Sequence, residues 1–120
     1  MTTDHAPLCI LLAEDEMLLA MMLEDRLHTS VYRVLKAARL AKCMELAESA
    51  PIDLAILDIN LAGEASFPAA LILRRRGIPF VFSSGYDEQD VPEAWRNENI
   101  LQKPYDSRQL NAALTGLLEA

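Results

Sequence analysis

Five polar residues that could do chemistry come at or just after the ends of short apolar runs. Glu14 and Asp15 follow LCILLA, Asp58 follows LAIL, Ser84 follows FVFS, and Lys103 follows ILQ. Apolar runs of this length are typical of strands that are covered on both faces of a parallel sheet. Because binding sites in open sheets lie outside the carboxyl ends of the strands, we expect three carboxylates, a hydroxyl and an ammonium to converge on one edge.

The acidic members of this set, Glu14, Asp15 and Asp58, would place three negative charges close together. Two unit charges about 4 Å apart repel by roughly 1 to 4 kcal/mol at solvent-like to surface-like dielectric constants, so such a cluster needs a cation. Ligands that are all oxygen favour Mg²⁺ or a similar hard ion, which keeps some waters and also takes a phosphate oxygen. The alternative is that Glu14, Asp15 and Glu16 merely favour the N-terminal end of a helix.

Asp58 is also a candidate nucleophile, because a carboxylate can attack phosphorus and form an acyl phosphate. The negative charge of the transferred group must then be neutralised, and Lys103 could supply a cation beside the metal. Ser84 could donate a hydrogen bond to a phosphoryl oxygen. Each residue also has a simpler interpretation, since Asp and Ser are common in turns and Lys before Pro is often only solvated. Their joint arrival at successive strand ends favours the phosphoryl chemistry.

The elements that would position these residues alternate between strand and helix. Such alternation predicts a parallel sheet with helices on both faces and right-handed crossovers. Pro68 and Gly77 bracket the third helix, and Asp106 with Gln109 forms a capping box at the last one. The predicted strands are 8–13, 31–37, 54–57, 80–83 and 100–101, and the predicted helices are 16–27, one from Leu40 that is closed by Pro51, 67–76, a short or irregular one over 88–97, and one after Asp106.

Length and composition are those of one domain spanning residues 1–120, since 120 residues with 52% hydrophobic content can bury one core. The formal net charge of −7 argues against a nucleic-acid partner, which needs excess Lys and Arg. The first seven residues do not resemble a signal peptide, and no apolar run is long enough to span a bilayer. We therefore expect a cytoplasmic protein that binds no membrane, with Cys9 and Cys43 not joined as a disulfide.

Taken in order, these motifs resemble the receiver domain of two-component response regulators, from Leu8 to Leu118. The matching segments are LLAEDE, LAILDINLAG, IPFVFSSG and LQKPY. The resemblance implies an α/β, flavodoxin-like (βα)5 three-layer sandwich, with a five-stranded parallel sheet in the strand order 2-1-3-4-5. It also implies a regulatory domain that catalyses only its own phosphorylation and dephosphorylation, and so is not an enzyme in the usual sense.

The resemblance further assigns roles to the site residues. Glu14, Asp15, Asp58 and the backbone carbonyl of Asn60 would hold Mg²⁺. Asp58 would take a phosphoryl group from the phosphohistidine of a histidine kinase or phosphotransfer protein. Ser84 and Lys103 would then bind the phosphoryl oxygens. Movement of Ser84 would reshape the face formed by the fourth helix, the fifth strand and the fifth helix, to which a downstream protein partner would bind.

Two features depart from the common receiver pattern. An aromatic residue often stands three positions before the lysine as part of the switch, and here that position is Ile100. The segment Phe82–Tyr86 is similar to the Phe-Ala-Thr-Gly-Tyr-like motif of a subgroup of stand-alone receivers, so we hypothesise that Tyr86 takes over part of the switching role. If the 120 residues are the full protein, we expect a stand-alone receiver that acts by docking to partners or by passing on a phosphoryl group. We also expect a monomer or a weak homodimer.

Other interpretations remain open at this point. A phosphatase with an Asp nucleophile generally resembles Asp-x-Asp, but here the second position is Asn60, which cannot act as an acid. A flavin- or nucleotide-binding module would need a Gly- or Ser/Thr-rich loop after the first strand, where this chain has AEDEM. A receiver-like interaction module that is never phosphorylated is the third alternative. Trp95 could belong to an interaction surface, since aromatics are enriched there, or pack against its own sheet.

Overall fold

Five parallel strands form the central sheet of the computed structural model, which describes residues 8–29, 32–85 and 91–119. The strands of the sheet are β1 (Leu8–Ala13), β2 (Tyr32–Ala37), β3 (Leu54–Asp58), β6 (Phe80–Ser84) and β7 (Ile100–Gln102), with β4 and β5 in a separate hairpin. The α-helices are α1 (Met17–Thr29), α2 (Leu40–Ser49), α3 (Phe67–Arg76) and α4 (Ser107–Glu119). The strand order is β2-β1-β3-β6-β7, which confirms the predicted topology once the strands of this sheet are counted in sequence.

The three middle strands explain the apolar runs of the sequence. Every residue of β3 and β6 is buried, as is β1 after Leu8, because helices cover both faces of the sheet. The outer strands β2 and β7 contain exposed positions such as Arg33 and Gln102. Burial is therefore greatest at the three strands that lead to Glu14, Asp58 and Ser84.

Alternate residues of the strands supply two separate cores. Leu11, Leu57 and Phe82 point to one side, where they pack with α2 and α3. Ile56 and Val81 point to the other side, where they pack with α1 and α4. The molecule therefore has three layers, with the sheet between two pairs of helices, as the sequence predicts.

The fourth crossover differs from its prediction. A helix is expected over 88–97, whereas the structure has a single 3-10 turn at Glu93–Trp95, and residues 88–90 lie outside the described part of the chain. Trp95 is buried and its ring packs on Phe67, Phe80 and Phe82, with centroids 5.8 to 6.2 Å apart. The burial and aromatic packing of Trp95 confirm the alternative in which it packs against its own sheet.

A short antiparallel hairpin after β3 was not predicted. Its strands are β4 (Asn60–Leu61) and β5 (Glu64–Ala65), joined by Ala62 and Gly63. Both joining residues have positive φ angles, 51° and 92°, as a tight two-residue hairpin loop requires. The hairpin begins two residues after Asp58 and so forms one wall of the candidate site.

The predicted ends of α3 and α4 are confirmed. Pro68 lies in the first turn of α3, and Gly77 follows its last residue in the left-handed region at φ 73°. Asp106 and Gln109 exchange hydrogen bonds of 2.8 and 2.9 Å at the start of α4. Gly77 and the capping box therefore fix where the chain turns toward β6 and where it leaves the site after β7.

Two arginines at the end of α3 connect this helix to neighbouring parts of the molecule. Arg76 donates hydrogen bonds to the carbonyls of Ala47 and Ala50 and so ties α3 to α2. Arg74 pairs with Glu98 at 2.8 Å and lies 3.9 Å above the ring of Trp95. These contacts attach the C-terminal end of α3 to α2 and to the turn that contains Trp95.

Two further expectations concern cysteines and membranes. Cys9 and Cys43 are both free and buried, so the prediction that they form no disulfide is confirmed. Within residues 8–29, 32–85 and 91–119, no helix has the length and apolar character needed to cross a membrane.

Candidate functional site

The carboxyl ends of four adjacent strands bring the predicted site residues together. Glu14 and Asp15 directly follow β1, and Asp58 is the last residue of β3. Ser84 is the last residue of β6, and Lys103 directly follows β7. Because β1, β3, β6 and β7 are neighbours in the sheet, their ends meet at one edge, as the sequence predicts.

Lys103 lies between two carboxylates. Its Nζ donates to Oδ2 of Asp58 at 2.8 Å and to Oε1 of Glu14 at 2.9 Å. The side chains of Lys103, Asp58 and Glu14 are only 17%, 10% and 2% exposed, so this is a largely desolvated ion-pair network. Burial alone would lower the pKa of Lys103, but the hydrogen bonds to the two carboxylates outweigh burial and raise it. Lys103 is therefore a permanent cation at neutral pH.

Glu14 is the most buried carboxylate of the site. Burial raises its pKa, and the negative charge of Asp58 acts in the same direction. Hydrogen bonds from Lys103 and from the backbone N–H of Glu16 oppose this rise without cancelling it. The hydrogen bond from Lys103 is therefore the strongest of the influences that favour the ionised form of Glu14.

Asp15 and Asp58 both contact the hairpin. Oδ2 of Asp15 accepts a hydrogen bond of 2.9 Å from the N–H of Ala62, although Asp15 itself is exposed. Oδ1 of Asp58 is 3.4 Å from the N–H of Asn60, a long contact, while the Asn60 side chain accepts from Gly63 at 2.7 Å. The hairpin thus supplies a backbone hydrogen bond to each of these acids, and the one to Asp58 Oδ1 is the longer.

The acidic cluster fits a hard divalent cation. Glu14, Asp15 and Asp58 each offer a carboxylate oxygen, and these oxygens lie within 4.8 Å of one another. Oxygen donors at this spacing, beside an open polar cavity that can hold waters, are what Mg²⁺ prefers. The cavity measures about 360 Å³ and is lined by Asp15, Glu16, Asp58, Asn60, Gly85 and Lys103.

Glu16 and Gly85 line this cavity but were not among the predicted site residues. Their position next to Asp15 and Ser84 in the sequence was the available signal. Asn60, predicted as a backbone ligand, does reach the cavity, and the role of its carbonyl stays a prediction.

The predicted switch residues occupy different environments. Ser84 is buried at the end of β6, next to the cavity. Ile100 lies opposite Phe82 in β7 and packs against the α2–α3 core, where an aliphatic side chain completes the apolar contact. Tyr86 lies outside the described residues, so its suggested role stays a hypothesis.

Fold, edge location and the carboxylate–lysine network together define the class of protein. The family model of the response regulator receiver domain matches residues 10–115, and the chain belongs to this family. Receiver domains are regulatory modules of two-component signalling that interact with histidine kinases or phosphotransfer proteins, and they bind Mg²⁺ at an acidic pocket.

Individual relatives agree with this assignment. The uncharacterized transcriptional regulatory protein YbdJ of Bacillus subtilis (strain 168) is 27% identical over 114 residues, covering 92% of this chain and 50% of YbdJ. The chain therefore spans about half the length of this curated relative. The solution structure of SdrG from Sphingomonas melonis Fr1 is 40% identical and covers 96% of this chain and 99% of SdrG, with a TM-score of 0.83.

Two further solved structures show related states or the same fold. The BeF₃-activated conformation of SdrG, from Pseudomonas melonis Fr1, is 38% identical, covers 95% of this chain and 99% of that one, and has a TM-score of 0.78. The receiver domain of the sensor histidine kinase PA1611 from Pseudomonas aeruginosa PAO1 holds a magnesium ion in its active-site cleft. It is 21% identical, with coverage of 96% and 100% and a TM-score of 0.79, and shows the fold alone.

Proposed function

We propose that Asp58 accepts a phosphoryl group from the phosphohistidine of a histidine kinase or phosphotransfer protein. The observation that carries this proposal is the Lys103 ammonium, which lies 2.8 Å from Asp58 and 2.9 Å from Glu14 at the edge of an open polar cavity. The network holds a carboxylate nucleophile, a fixed cation and two further acids within reach of one another.

The transfer follows from the chemistry of these groups. An Asp58 oxygen forms a bond to phosphorus while the bond between phosphorus and the donor's imidazole nitrogen breaks, and the imidazole leaves with the electron pair. Oδ1 of Asp58 is the more available nucleophile, because it accepts only a long 3.4 Å contact from Asn60 whereas Oδ2 is engaged by Lys103 at 2.8 Å. Once the phosphoryl group is in place, Lys103 turns to its oxygens and Ser84 donates to another of them.

Mg²⁺ is part of the proposal as the cation that the acids require. When bound, it would neutralise charge on the transferring phosphoryl oxygens. Glu14, Asp15, Asp58 and the carbonyl of Asn60 would hold it. The spacing of the three carboxylates and the magnesium site of the PA1611 receiver support this assignment, and the BeF₃-activated form of SdrG supports a phosphoryl site in a close relative.

A protein donor must also find a surface near Asp58. The first half of α1 exposes four large apolar side chains beside the site, each more than half exposed. They are Met17, Leu18, Met21 and Met22. Clusters of exposed apolar side chains mark interaction sites, and methionines adapt to varied partners. We propose that this α1 patch receives the phosphodonor, and that phosphorylation changes the face formed by the 3-10 turn, β7 and α4 for a downstream partner.

The experiment that tests the function uses a small acyl phosphate as the phosphoryl donor. Wild type and the Asp58→Asn variant are incubated with a small acyl phosphate, with and without Mg²⁺, and their intact masses are measured. We expect one phosphoryl group on the wild type, dependent on Mg²⁺, and none on the variant. Asp25→Asn, which changes an exposed acid on α1, is the matched control and should be phosphorylated like the wild type.

The α1 patch is tested with a protein donor that carries phosphohistidine. Leu18→Asp should slow transfer from that donor while leaving the reaction with the small acyl phosphate unchanged. Absence of any adduct on the wild type, with Mg²⁺ shown to bind, would instead favour an interaction module that is not phosphorylated.

A further inference from the structure

Two hydroxyl groups beside the site are buried without hydrogen-bond partners. They are Oγ of Ser83 and the hydroxyl of Tyr105. Buried polar groups are nearly always paired, and an unpaired one costs free energy, so each instance calls for an explanation. Neither residue belongs to the set that the proposed phosphoryl transfer uses.

The two hydroxyls face the same region of the molecule. Ser83 alternates with Ser84 along β6, so its side chain points to the α1–α4 side of the sheet, where Val81 also points. Tyr105 packs against the core on that side and, with Lys103, lines an apolar cavity of about 230 Å³. The Ser83 hydroxyl is close enough to act as a weak hydrogen-bond partner that lowers the pKa of Tyr105, yet neither hydroxyl has a partner at full hydrogen-bond geometry.

Burial raises the pKa of Tyr105 overall, and the acids of the site contribute to this rise. Its hydroxyl therefore stays protonated at neutral pH and can act as a donor. Ser83 offers an acceptor oxygen that no described group uses. Donor and acceptor are thus present, and a small displacement would align them.

Phosphorylation would produce such a displacement, because the backbone connects each hydroxyl-bearing residue directly to a residue of the site. Tyr105 comes two residues after Lys103, whose ammonium is held by Asp58 and Glu14. Ser83 pairs with Asp58 in the sheet register and precedes Ser84. A phosphoryl group on Asp58 extends farther into the cavity than the carboxylate does, so Lys103 and the chain that follows it must shift.

We infer that Ser83 and Tyr105 form a hydrogen bond when Asp58 is phosphorylated, and that this bond positions the segment carrying Lys103 against the phosphoryl group. The inference rests on the proposed function, because it needs a phosphoryl group on Asp58. Both are positioning residues, since neither touches the reacting atoms. A bond that forms only in the phosphorylated chain would explain why neither hydroxyl has a hydrogen-bond partner in the structure.

The test uses beryllofluoride with Mg²⁺ as the phosphoryl mimic on the full chain. Its half-saturating concentration is measured from amide NMR signals for wild type, Ser83→Ala, Tyr105→Phe and the double variant. We expect each single variant to bind about fivefold more weakly, the change that one net hydrogen bond gives, and the double variant to bind no worse than either single one. Tyr32→Phe removes a hydroxyl from β2 on the same side of the sheet and should have no effect.

A second measurement separates this role from a merely structural one. Urea unfolding without beryllofluoride should show Ser83→Ala and Tyr105→Phe to be as stable as the wild type, or more stable, because an unpaired buried hydroxyl has been removed. Unchanged beryllofluoride binding, additive effects in the double variant, or lower stability of the unliganded variants would each overturn the inference. Failure of the wild type itself to bind beryllofluoride would overturn the proposed function as well, and so is distinguishable.

Discussion

Replacing Lys103 with methionine would leave the repulsion between the carboxylates of Glu14 and Asp58 without a compensating cation. Methionine keeps most of the apolar stem and removes the charge. The carboxylate oxygens of Glu14 and Asp58 would then face each other within 4.8 Å without a cation. At that distance two charges repel by about 1 kcal/mol at the dielectric constant of water and by about 3 kcal/mol at an effective value near 20. Because both acids are largely buried, we expect a loss of about 3 kcal/mol at pH 7 without Mg²⁺.

The pH dependence of this loss follows from Glu14. Its pKa in the folded chain is raised above 4.5, so its contribution to stability is fully present below the unfolded pKa and is lost as pH rises through the folded pKa. Without Lys103 the folded pKa rises further, because a lowering influence is removed. The stability difference between the variant and the wild type should therefore shrink as the pH is lowered.

Urea denaturation with a chelator present, repeated at pH 7 and near pH 5, measures this effect. Lys42→Met is the matched control, since Lys42 and Glu45 form an exposed pair at 3.6 Å, and it should cost less than about 0.5 kcal/mol. Adding Glu14→Gln to Lys103→Met should recover most of the loss. A difference that is the same at both pH values, or that Glu14→Gln does not reduce, would refute the reasoning.

Three further predictions concern stability away from the site. Gly77→Ala should lower the free energy of unfolding by about 1 kcal/mol in urea denaturation, because φ is 73° at this position. Gly116→Ala lies within α4 and should instead raise it by about 0.5 to 1 kcal/mol. Equal effects of the two substitutions would contradict this prediction. Burial raises the pKa of Cys43 to about 12 from 9.0, so the thiol ionises more readily in the unfolded chain and stability is lost as the pH rises above 9. Between pH 8 and 10 the free energy of unfolding of the wild type should therefore fall by about 1 kcal/mol more than that of Cys43→Ala. Asp106→Ala should cost about 1 kcal/mol by removing the cap, and an unchanged urea midpoint would argue against it.

The sequence predicted the sheet and most of the site because both depend on strong local signals. The central strands are continuous apolar runs, and the residue after each run must lie at the carboxyl edge. Glu14, Asp58 and Lys103 therefore meet in the structure as expected. Gly77 and Asp106 marked helix boundaries because their conformational and capping preferences are specific.

Other features could not be predicted because they depend on tertiary contacts. The hairpin at 60–65 has strands of two residues, too short for an alternating pattern, and one of its turn residues is Ala62 at positive φ. Trp95 was ambiguous since burial by Phe67 and Phe82 is not visible in its own segment. That Lys103 bridges Glu14 as well as Asp58, and that Tyr105 lies near Ser83, follows from side-chain positions across different strands.

The most direct test of the central claim is to locate the phosphoryl group by chemistry. Borohydride reduces an acyl phosphate on aspartate to the alcohol, which leaves homoserine in the chain. The wild type is treated with a small acyl phosphate and Mg²⁺, reduced, and mapped by peptide mass spectrometry. We expect homoserine at position 58 alone. Modification at Asp15, a stable phosphate on Ser84, or an unmodified Asp58 in a chain shown to be folded would contradict it.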